Sequence, residues 1–272
     1  MPDSVVPQIT LAGPGPWERR VHVEHVWGTA VTFDLRAPEL PEDFEAIVSE
    51  AVAYLHQVDA WFSTYRVDTP ITMYRNGLIT LDRTPLVVQE VLAACQQARV
   101  RTGGAFDPWS VPGGVDPSGY VKGWAAGQVA LQVRAAGIPN VCVNAAGDIA
   151  CLGEQSPGEP WAIGILNPYD TQQVVQVVRV GDGAVATSGL YERGRHITNP
   201  RTRSDTVHYD SATIVGPDAG LADALATAAL VEGPGAAAWF ADLPDWSVYL
   251  IKDGQASFFG PAFATGPPAQ LP

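Results

Sequence analysis

Apolar positions along the chain repeat with two different periods. Between residues 41 and 62, Phe44, Ile47, Val48, Ala51, Val52, Leu55, Val58 and Trp61 recur at helical spacing and predict a long amphipathic helix. Ahead of it, residues 21–23 and 29–35 alternate in character and predict a hairpin. Thr84 followed by Pro85 reads as a cap and a first-turn proline. It opens a second helix that runs to about Val100 and stops at Gly103-Gly104. A third helix is expected from about Tyr120 to Ala136, ended by Gly137.

The period then changes. Residues 141–144, 149–152, 161–166, 174–180, 184–187 and 212–215 read as strands, followed by an alanine-rich helix over about 220–231 and a shorter helix over 235–241. Two final strands, 246–251 and 255–259, flank Asp253-Gly254, a hairpin signal. Helices and strands are partly segregated, which favours α+β over a doubly wound sheet. With no internal repeat and no obvious linker, one domain over residues 21–263 is expected. It lies between a Pro- and Gly-rich leader (1–20) and a Pro-rich tail (264–272).

Composition narrows the function classes. The 272 residues carry 29 acidic and 16 basic side chains, a net charge of −13. That leaves no surplus of cations to displace counterions from nucleic-acid phosphates, so no nucleic-acid partner is expected. No apolar run approaches the ~20 residues that span a bilayer. The start, Met1-Pro2-Asp3-Ser4, shows neither a signal peptide nor a lipid-attachment cysteine, so a cytoplasmic location is expected. Cys95, Cys142 and Cys151 are odd in number and form no C-x-x-C, and they read as isolated reduced thiols packed as small hydrophobes.

Four segments carry candidate chemistry. In the alanine-rich helix Asp223 is the single charged residue between Ala219 and Val231, and Thr227 follows it by one turn. A carboxylate and a hydroxyl on one face offer hard oxygen ligands suited to Mg²⁺. The alternative is an aspartate hydrogen-bonded locally near the helix N-terminus, with Thr227 bonding back to a carbonyl. Asp116 through Gly123 places Lys122 and nearby glycines at a helix start, either a phosphate cradle or a solvated first-turn lysine. Asn144 through Asp148 forms a small-residue turn that would let a ligand approach the backbone, or an ordinary turn. Thr187-Ser188, followed by His196, could serve acid–base work, or His196 could be structural.

Taken in order, these segments resemble the FAD:protein FMN transferase (ApbE) family. The run comprises Trp27-Gly28-Thr29, Phe62-Ser63-Thr64-Tyr65-Arg66, Gly104-Ala105-Phe106-Asp107-Pro108, Asp116 through Gly123 and Asn144 through Ile149. It continues with Trp161-Ala162-Ile163-Gly164, Thr187-Ser188-Gly189, His196 through Pro200 and Ala222 through Thr227. The resemblance implies a single compact α+β domain of ApbE-like (T-fold-like) architecture, with mixed or antiparallel sheets and packed helices.

It also implies Mg²⁺-dependent transfer of FMN from FAD to a Thr or Ser hydroxyl of an acceptor protein, with release of AMP. The acceptor would carry an Asp-x-x-(Ser/Thr)-Gly-Ala-(Thr/Ser)-type motif. Alternatives are an Mg²⁺-dependent FAD pyrophosphatase yielding FMN and AMP, and a non-catalytic FAD-binding protein. Asp223, Thr227 and the Gly119 carbonyl would hold Mg²⁺. FAD would lie against Trp27, Tyr65, Ala105, Phe106, Asp107, Asp116 and Lys122, with Asn144, Asp148, Thr187, Ser188 and Ile197 lining the pocket. His196, Asp223 and Lys122 would carry the catalysis, His196 by helping to deprotonate the acceptor. The chain departs from the family pattern at Trp27 (usually Met), Ala146 (usually Gly) and Asn199 (usually Asp), and in a short stretch between Asp107 and Asp116.

Overall fold

The first alternating segments pair as a hairpin. The computed structural model describes residues 17–189, 198–204 and 207–263. In it β1 (Glu18–Val26) runs antiparallel to β2 (Thr29–Ala37), so the first three residues of β1 fall within the expected leader. The turn between them is Trp27-Gly28, with φ of 58° and 71°. Two successive positive φ values match the twist of the flanking strands in a two-residue hairpin.

Helices come next: α1 (Phe44–Phe62), a short α2 (Pro70–Arg75), α3 (Leu86–Arg101) and α4 (Ser118–Ala135). Seven strands follow, β3 (Asn140–Ala145), β4 (Asp148–Leu152), β5 (Glu154–Ser156), β6 (Glu159–Asn167), β7 (Asp170–Val180), β8 (Gly183–Gly189) and β9 (Ser211–Gly216). Helix α5 (Ala219–Glu232) leads to the closing hairpin of β10 (Ser247–Lys252) and β11 (Gln255–Phe259). The main sheet has eight strands in the order β1-β2-β3-β4-β8-β9-β10-β11, and a second sheet has the order β5-β6-β7. Every neighbouring pair is antiparallel.

Several expected elements are corrected. The short helix expected over 235–241 is instead a 3₁₀ segment, Gly233–Phe240, with Ala241 as its C-cap. Gly233 ends α5 at φ 76°, and the tighter winding follows from Gly and Pro at its start. Thr84 does not cap α3; its hydroxyl donates to the Leu81 carbonyl at 2.7 Å and closes the preceding 3₁₀ turn. Helix α2 and strand β5 escaped the sequence reading because both are too short to show a period.

Alternation along the central strands sorts their side chains onto two buried faces. Val141, Val143, Ala150, Leu152, Ala184, Ala186, Ile214, Val248 and Leu250 join the helices in the larger core. Cys142, Ile149, Cys151, Val185, Val215, Tyr249 and Ile251 face the second sheet, meeting Trp161, Ile163, Ile165, Val178 and Val180. Burial on both faces explains why these strands read as continuous apolar runs. It also corrects the view of three isolated thiols. Cys142 and Cys151 are register partners with their sulfurs 3.8 Å apart, and burial followed by this contact pushes the Cys151 thiol well up.

One ion-pair cluster joins the two sheets. Asp34 on β2 accepts from Arg36 at 2.9 and 2.8 Å and from Arg19 at 2.9 Å. Arg36 also donates to the Gln155 carbonyl on β5 at 2.7 Å and lies 4.8 Å from the Trp161 ring centroid. Burial alone would raise the Asp34 carboxyl, but the two guanidinium groups hold it below the usual carboxylate range. Its contribution to stability is therefore present above the ordinary carboxyl value of ~3.9 and is lost as pH falls through the lowered folded value. Asp34→Asn, which leaves Arg36 buried without its anion, is expected to lose about 3–5 kcal/mol at pH 7. Urea unfolding at pH 7 and below pH ~4 should show that difference shrinking in acid.

Helices α4 and α5 approach so closely that backbone meets backbone. A Cβ on Gly123 would lie 2.2 Å from the Ala219 carbonyl oxygen, whereas one on Gly127, a turn later, would sit at an ordinary 3.6 Å from Ala219 Cβ. Gly123→Ala should therefore cost about 2–3 kcal/mol by forcing the helices apart. Gly127→Ala should gain up to about 1 kcal/mol from helix propensity. Equal midpoints for the two variants in a denaturant titration would refute the close approach.

Candidate functional site

Helix α5 is apolar on all sides and buried, so its single internal charge needs compensation from outside the helix. Asp218 caps the helix, its carboxylate accepting from the Leu221 N–H at 2.7 Å. The capping role thus falls to Asp218, and Asp223, whose side chain is 3% exposed, looks across to α4. Asp223 Oδ2 accepts from the Gly123 N–H at 3.3 Å and lies 3.8 Å from Lys122 Nζ. Lys122 is itself ion-paired with Asp148 Oδ2 at the start of β4. The carboxylate also reaches α3, where burial first and the Asp223 charge second push the Cys95 thiol up.

Thr227 stands one turn along from Asp223. Its hydroxyl is 3.2 Å from Ser188 Oγ on β8, and a Cβ on Gly119 would be 3.6 Å from the same hydroxyl. Gly119 interrupts the first turn of α4 with φ −79° and ψ 18°. Relative to a helical ψ near −42°, this rotates its carbonyl by roughly 60°. In a regular helix that carbonyl would receive the Gly123 N–H; here the Gly123 N–H is directed at Asp223. Gly119, Lys122, Asp148, Ser188, Asp223 and Thr227 therefore form one cluster where α4 and α5 cross the end of the sheet. Lys122 is not a solvated first-turn lysine: α4 begins at Ser118, and the Lys122 side chain is 20% exposed.

Strand parity divides the remaining expected pocket residues. Asp148 and Ser188 share the helix-facing side with Ala150 and Ala186, whereas Asn144 and Thr187 share the opposite side with Cys142 and Val185. Asn144 Oδ1 accepts from the Gly147 N–H at 3.0 Å, and Thr187 Oγ1 lies 2.9 Å from Thr213 Oγ1. Both remain at the same sheet end as the cluster, because the Thr187 N–H donates to the Gly147 carbonyl at 3.2 Å. The Ala146-Gly147 turn has φ of 54° and 100°, so alanine occupies a left-handed position that glycine would fill without strain.

The loop before α4 forms a braced wall. Ala105 and Phe106 are buried, and Phe106 Cε2 would lie 3.5 Å from a Cβ on Gly119. Asp107 pairs with Arg99 at 2.8 Å and accepts from the Trp109 N–H at 3.0 Å. Asp116 accepts from the Ser118 N–H at 3.0 Å, and its own N–H donates to the Pro108 carbonyl at 2.8 Å. Arg75 on α2 clamps the tip, donating to the Gly113 and Pro112 carbonyls at 2.7 and 2.6 Å. Arg75 and Arg99 were missed in the sequence because neither belongs to a motif. Gly123, inside a helical pattern, was the available sign of a close packing partner.

Other expected residues lie apart or outside. Tyr65 is 92% exposed on the loop after α1. Trp27 packs partly against the core, with its indole N–H buried and without a hydrogen-bond partner among the described residues. His196 and Ile197 lie outside the described residues. Asn199 accepts from the N–H groups of Arg201 at 2.9 Å and Thr202 at 3.3 Å, a role an aspartate could fill equally. A separate cleft of about 710 Å³, lined by α3, Tyr120, Asp218, Leu221 and Trp239, contains none of the cluster.

The ApbE family model matches residues 112–250, a span that holds the α4–α5 crossing and the sheet end beneath it. The chain belongs to the ApbE family. Curated relatives called FAD:protein FMN transferase include one from Vibrio cholerae, 36% identical over 129 residues, covering 44% of this chain and 39% of the relative. Another, from Escherichia coli K12, is 31% identical over 153 residues, covering 52% of this chain and 44% of the relative. The matched region thus spans less than half the length of these relatives. Among solved structures, the flavin transferase ApbE from Vibrio cholerae superposes with a TM-score of 0.79 at 22% identity, covering 91% of this chain and 99% of that one. The apo flavinyl transferase ApbE from Pseudomonas stutzeri gives 0.76 at 22% identity, covering 92% and 98%. The α+β architecture with antiparallel sheets is therefore the ApbE fold.

The cluster in this ApbE-family chain can be tested for a divalent cation by its own chemistry. Among the described residues no group of three or more His, Cys, Asp or Glu side chains gathers to bind a metal. What the crossing offers is one buried carboxylate, one hydroxyl and one rotated carbonyl, on Asp223, Thr227 and Gly119. An all-oxygen set with a single carboxylate fits Mg²⁺, which keeps several waters and takes further ligands from substrate phosphates.

Proposed function

We propose that this chain is an FAD:protein FMN transferase that moves FMN from FAD to a Thr or Ser hydroxyl of an acceptor protein and releases AMP. The observation that carries the reading is the α4–α5 crossing. There a buried carboxylate, a hydroxyl and a carbonyl meet a lysine at the end of an ApbE-fold sheet. Asp223, Thr227 and Gly119 would hold Mg²⁺. When bound, the ion would neutralise charge on the diphosphate oxygens.

The chain's own residues supply the rest. Phe106 and the braced loop 105–118 would form one wall of the FAD site, with Asp107 held by Arg99 and Asp116 by the Ser118 N–H. The small turn at Ala146-Gly147 would let the substrate approach the backbone closely. Lys122 would add a fixed positive charge in a largely water-excluded site, where screening is weak. In the transfer, the acceptor oxygen forms a bond to the FMN-side phosphorus, the bond from that phosphorus to the bridging oxygen breaks, and that oxygen leaves with AMP. The acceptor hydroxyl proton would pass to His196.

The test uses purified chain, FAD, Mg²⁺ and a protein bearing an Asp-x-x-(Ser/Thr)-Gly-Ala-(Thr/Ser) motif. AMP release and a gain on the acceptor of one FMN less one water are expected. AMP release without acceptor labelling would instead identify an FAD pyrophosphatase. FAD binding that needs no Mg²⁺ and yields no AMP would identify a non-catalytic binder. Asp223→Asn and Thr227→Val should each lower turnover on the order of 10²–10³-fold. Thr227→Val should cost only about 1 kcal/mol of stability through the lost Ser188 contact. His196→Ala should slow transfer more than it weakens FAD binding.

A further inference from the structure

The half-buried ammonium of Lys122 stands between two carboxylates at unequal range. It is ion-paired with Asp148 and 3.8 Å from Asp223, and the Asp148 and Asp223 side chains are only 2% and 3% exposed. A cation this close to the proposed metal-binding carboxylate is a competitor for it as well as a neighbour. Whichever carboxylate holds Lys122 decides how much negative charge the other presents.

We propose that Asp148 is a positioning residue that parks Lys122, keeping the Asp223 carboxylate available to a divalent cation, rather than a group that lines the flavin pocket. The proposal rests on the cation reading given under Proposed function. Three observations support it beyond that reading. Asp148 is the first residue of β4, and strand parity turns it toward the helices. Its position is fixed from both sides, by pairing with Ala145 on β3 and with Ala186 on β8. Asp223 is fixed independently by the Gly123 N–H on α4. Two rigid carboxylates on separate elements thus flank one flexible lysine, and the fold sets which of them receives the ammonium.

The charge balance gives the sign. Asp148, Lys122 and Asp223 together carry −1, which a divalent cation meets favourably. Asp148→Asn makes the trio neutral and releases Lys122 toward Asp223. Lys122→Met leaves both carboxylates and makes the trio −2. The double variant restores −1, now on Asp223 alone.

The experiment titrates Mn²⁺ into the chelator-stripped full chain and follows free Mn²⁺ by electron paramagnetic resonance, without FAD and without turnover. Asp148→Asn should weaken Mn²⁺ binding on the order of ten- to a hundredfold. Lys122→Met should bind at least as tightly as the wild type, and Lys122→Met/Asp148→Asn should return to within about threefold of it. Circular dichroism confirms folding of each variant, and Lys122→Met alone decides the matter if Asp148→Asn does not fold. Unchanged binding in Asp148→Asn, no rescue in the double variant, or weaker binding in Lys122→Met overturns the positioning role while leaving the cation reading intact. A wild-type chain that fails to bind Mn²⁺ overturns both.

Discussion

Burying one carboxylate inside an apolar helix constrains much of what surrounds it. Asp223 is the single charged residue between Ala219 and Val231, and its carboxylate is met by the Gly123 N–H of α4 and by Lys122. The buried charge explains the lack of a side chain at Gly123, where the approaching backbone brings an N–H to the carboxylate. It also accounts for a half-buried Lys122 beside it, which is ion-paired in turn with Asp148. Ion pairs of this kind are poor sources of stability, since desolvation offsets most of the attraction.

The sheet supplies the rigidity that this cluster needs. Both faces of its central strands are buried, one by helices and one by the second sheet, so the β3–β4 and β8 ends are held from two sides. The Asp34–Arg36–Gln155 link fastens the second sheet to β2. Asp148 and Ser188 therefore emerge from fixed strands, while Lys122, Asp223 and Thr227 emerge from helices locked by backbone contact. Groups placed on regular elements are held more closely than groups on loops. The loop that does contribute, residues 105–118, is pinned by Arg99 at one end and Arg75 at its tip.

Much of this was legible in the sequence, for reasons that differ by element. The helical stripe from Phe44 to Trp61 and the Asp253-Gly254 hairpin followed from periodicity and turn chemistry, both local properties. The Asp223/Thr227 pair stood out because a lone charge among alanines is conspicuous. Strand parity relative to the helices was not legible, because strands buried on both faces lack a polar side to give the orientation. The side of the sheet taken by Asn144 and Thr187, opposite to that of Asp148 and Ser188, is therefore visible only in the structure. Nor could the sequence show which carboxylate holds Lys122, since the pairing joins residues from α4 and β4 and depends on the crossing geometry. Arg75, half-buried and outside any motif, is visible only through the two carbonyls it grips.

The three departures from the family pattern differ in physical weight. Asn199 keeps the two backbone contacts that a carboxylate would make, so the local turn survives the change. Ala146 keeps the hairpin but in a left-handed conformation that alanine adopts at some cost. Trp27 is the most consequential of the three, because an indole brings a hydrogen-bond donor that a thioether lacks. That donor is buried in a hairpin turn with no acceptor among the described residues. A turn that tolerates both a positive φ at a bulky residue and an unsatisfied N–H carries two unfavourable features at one position. Their concentration at Trp27 falls at the same sheet end as the strained Ala146-Gly147 turn, since Val31 of β2 pairs with Ala145 of β3.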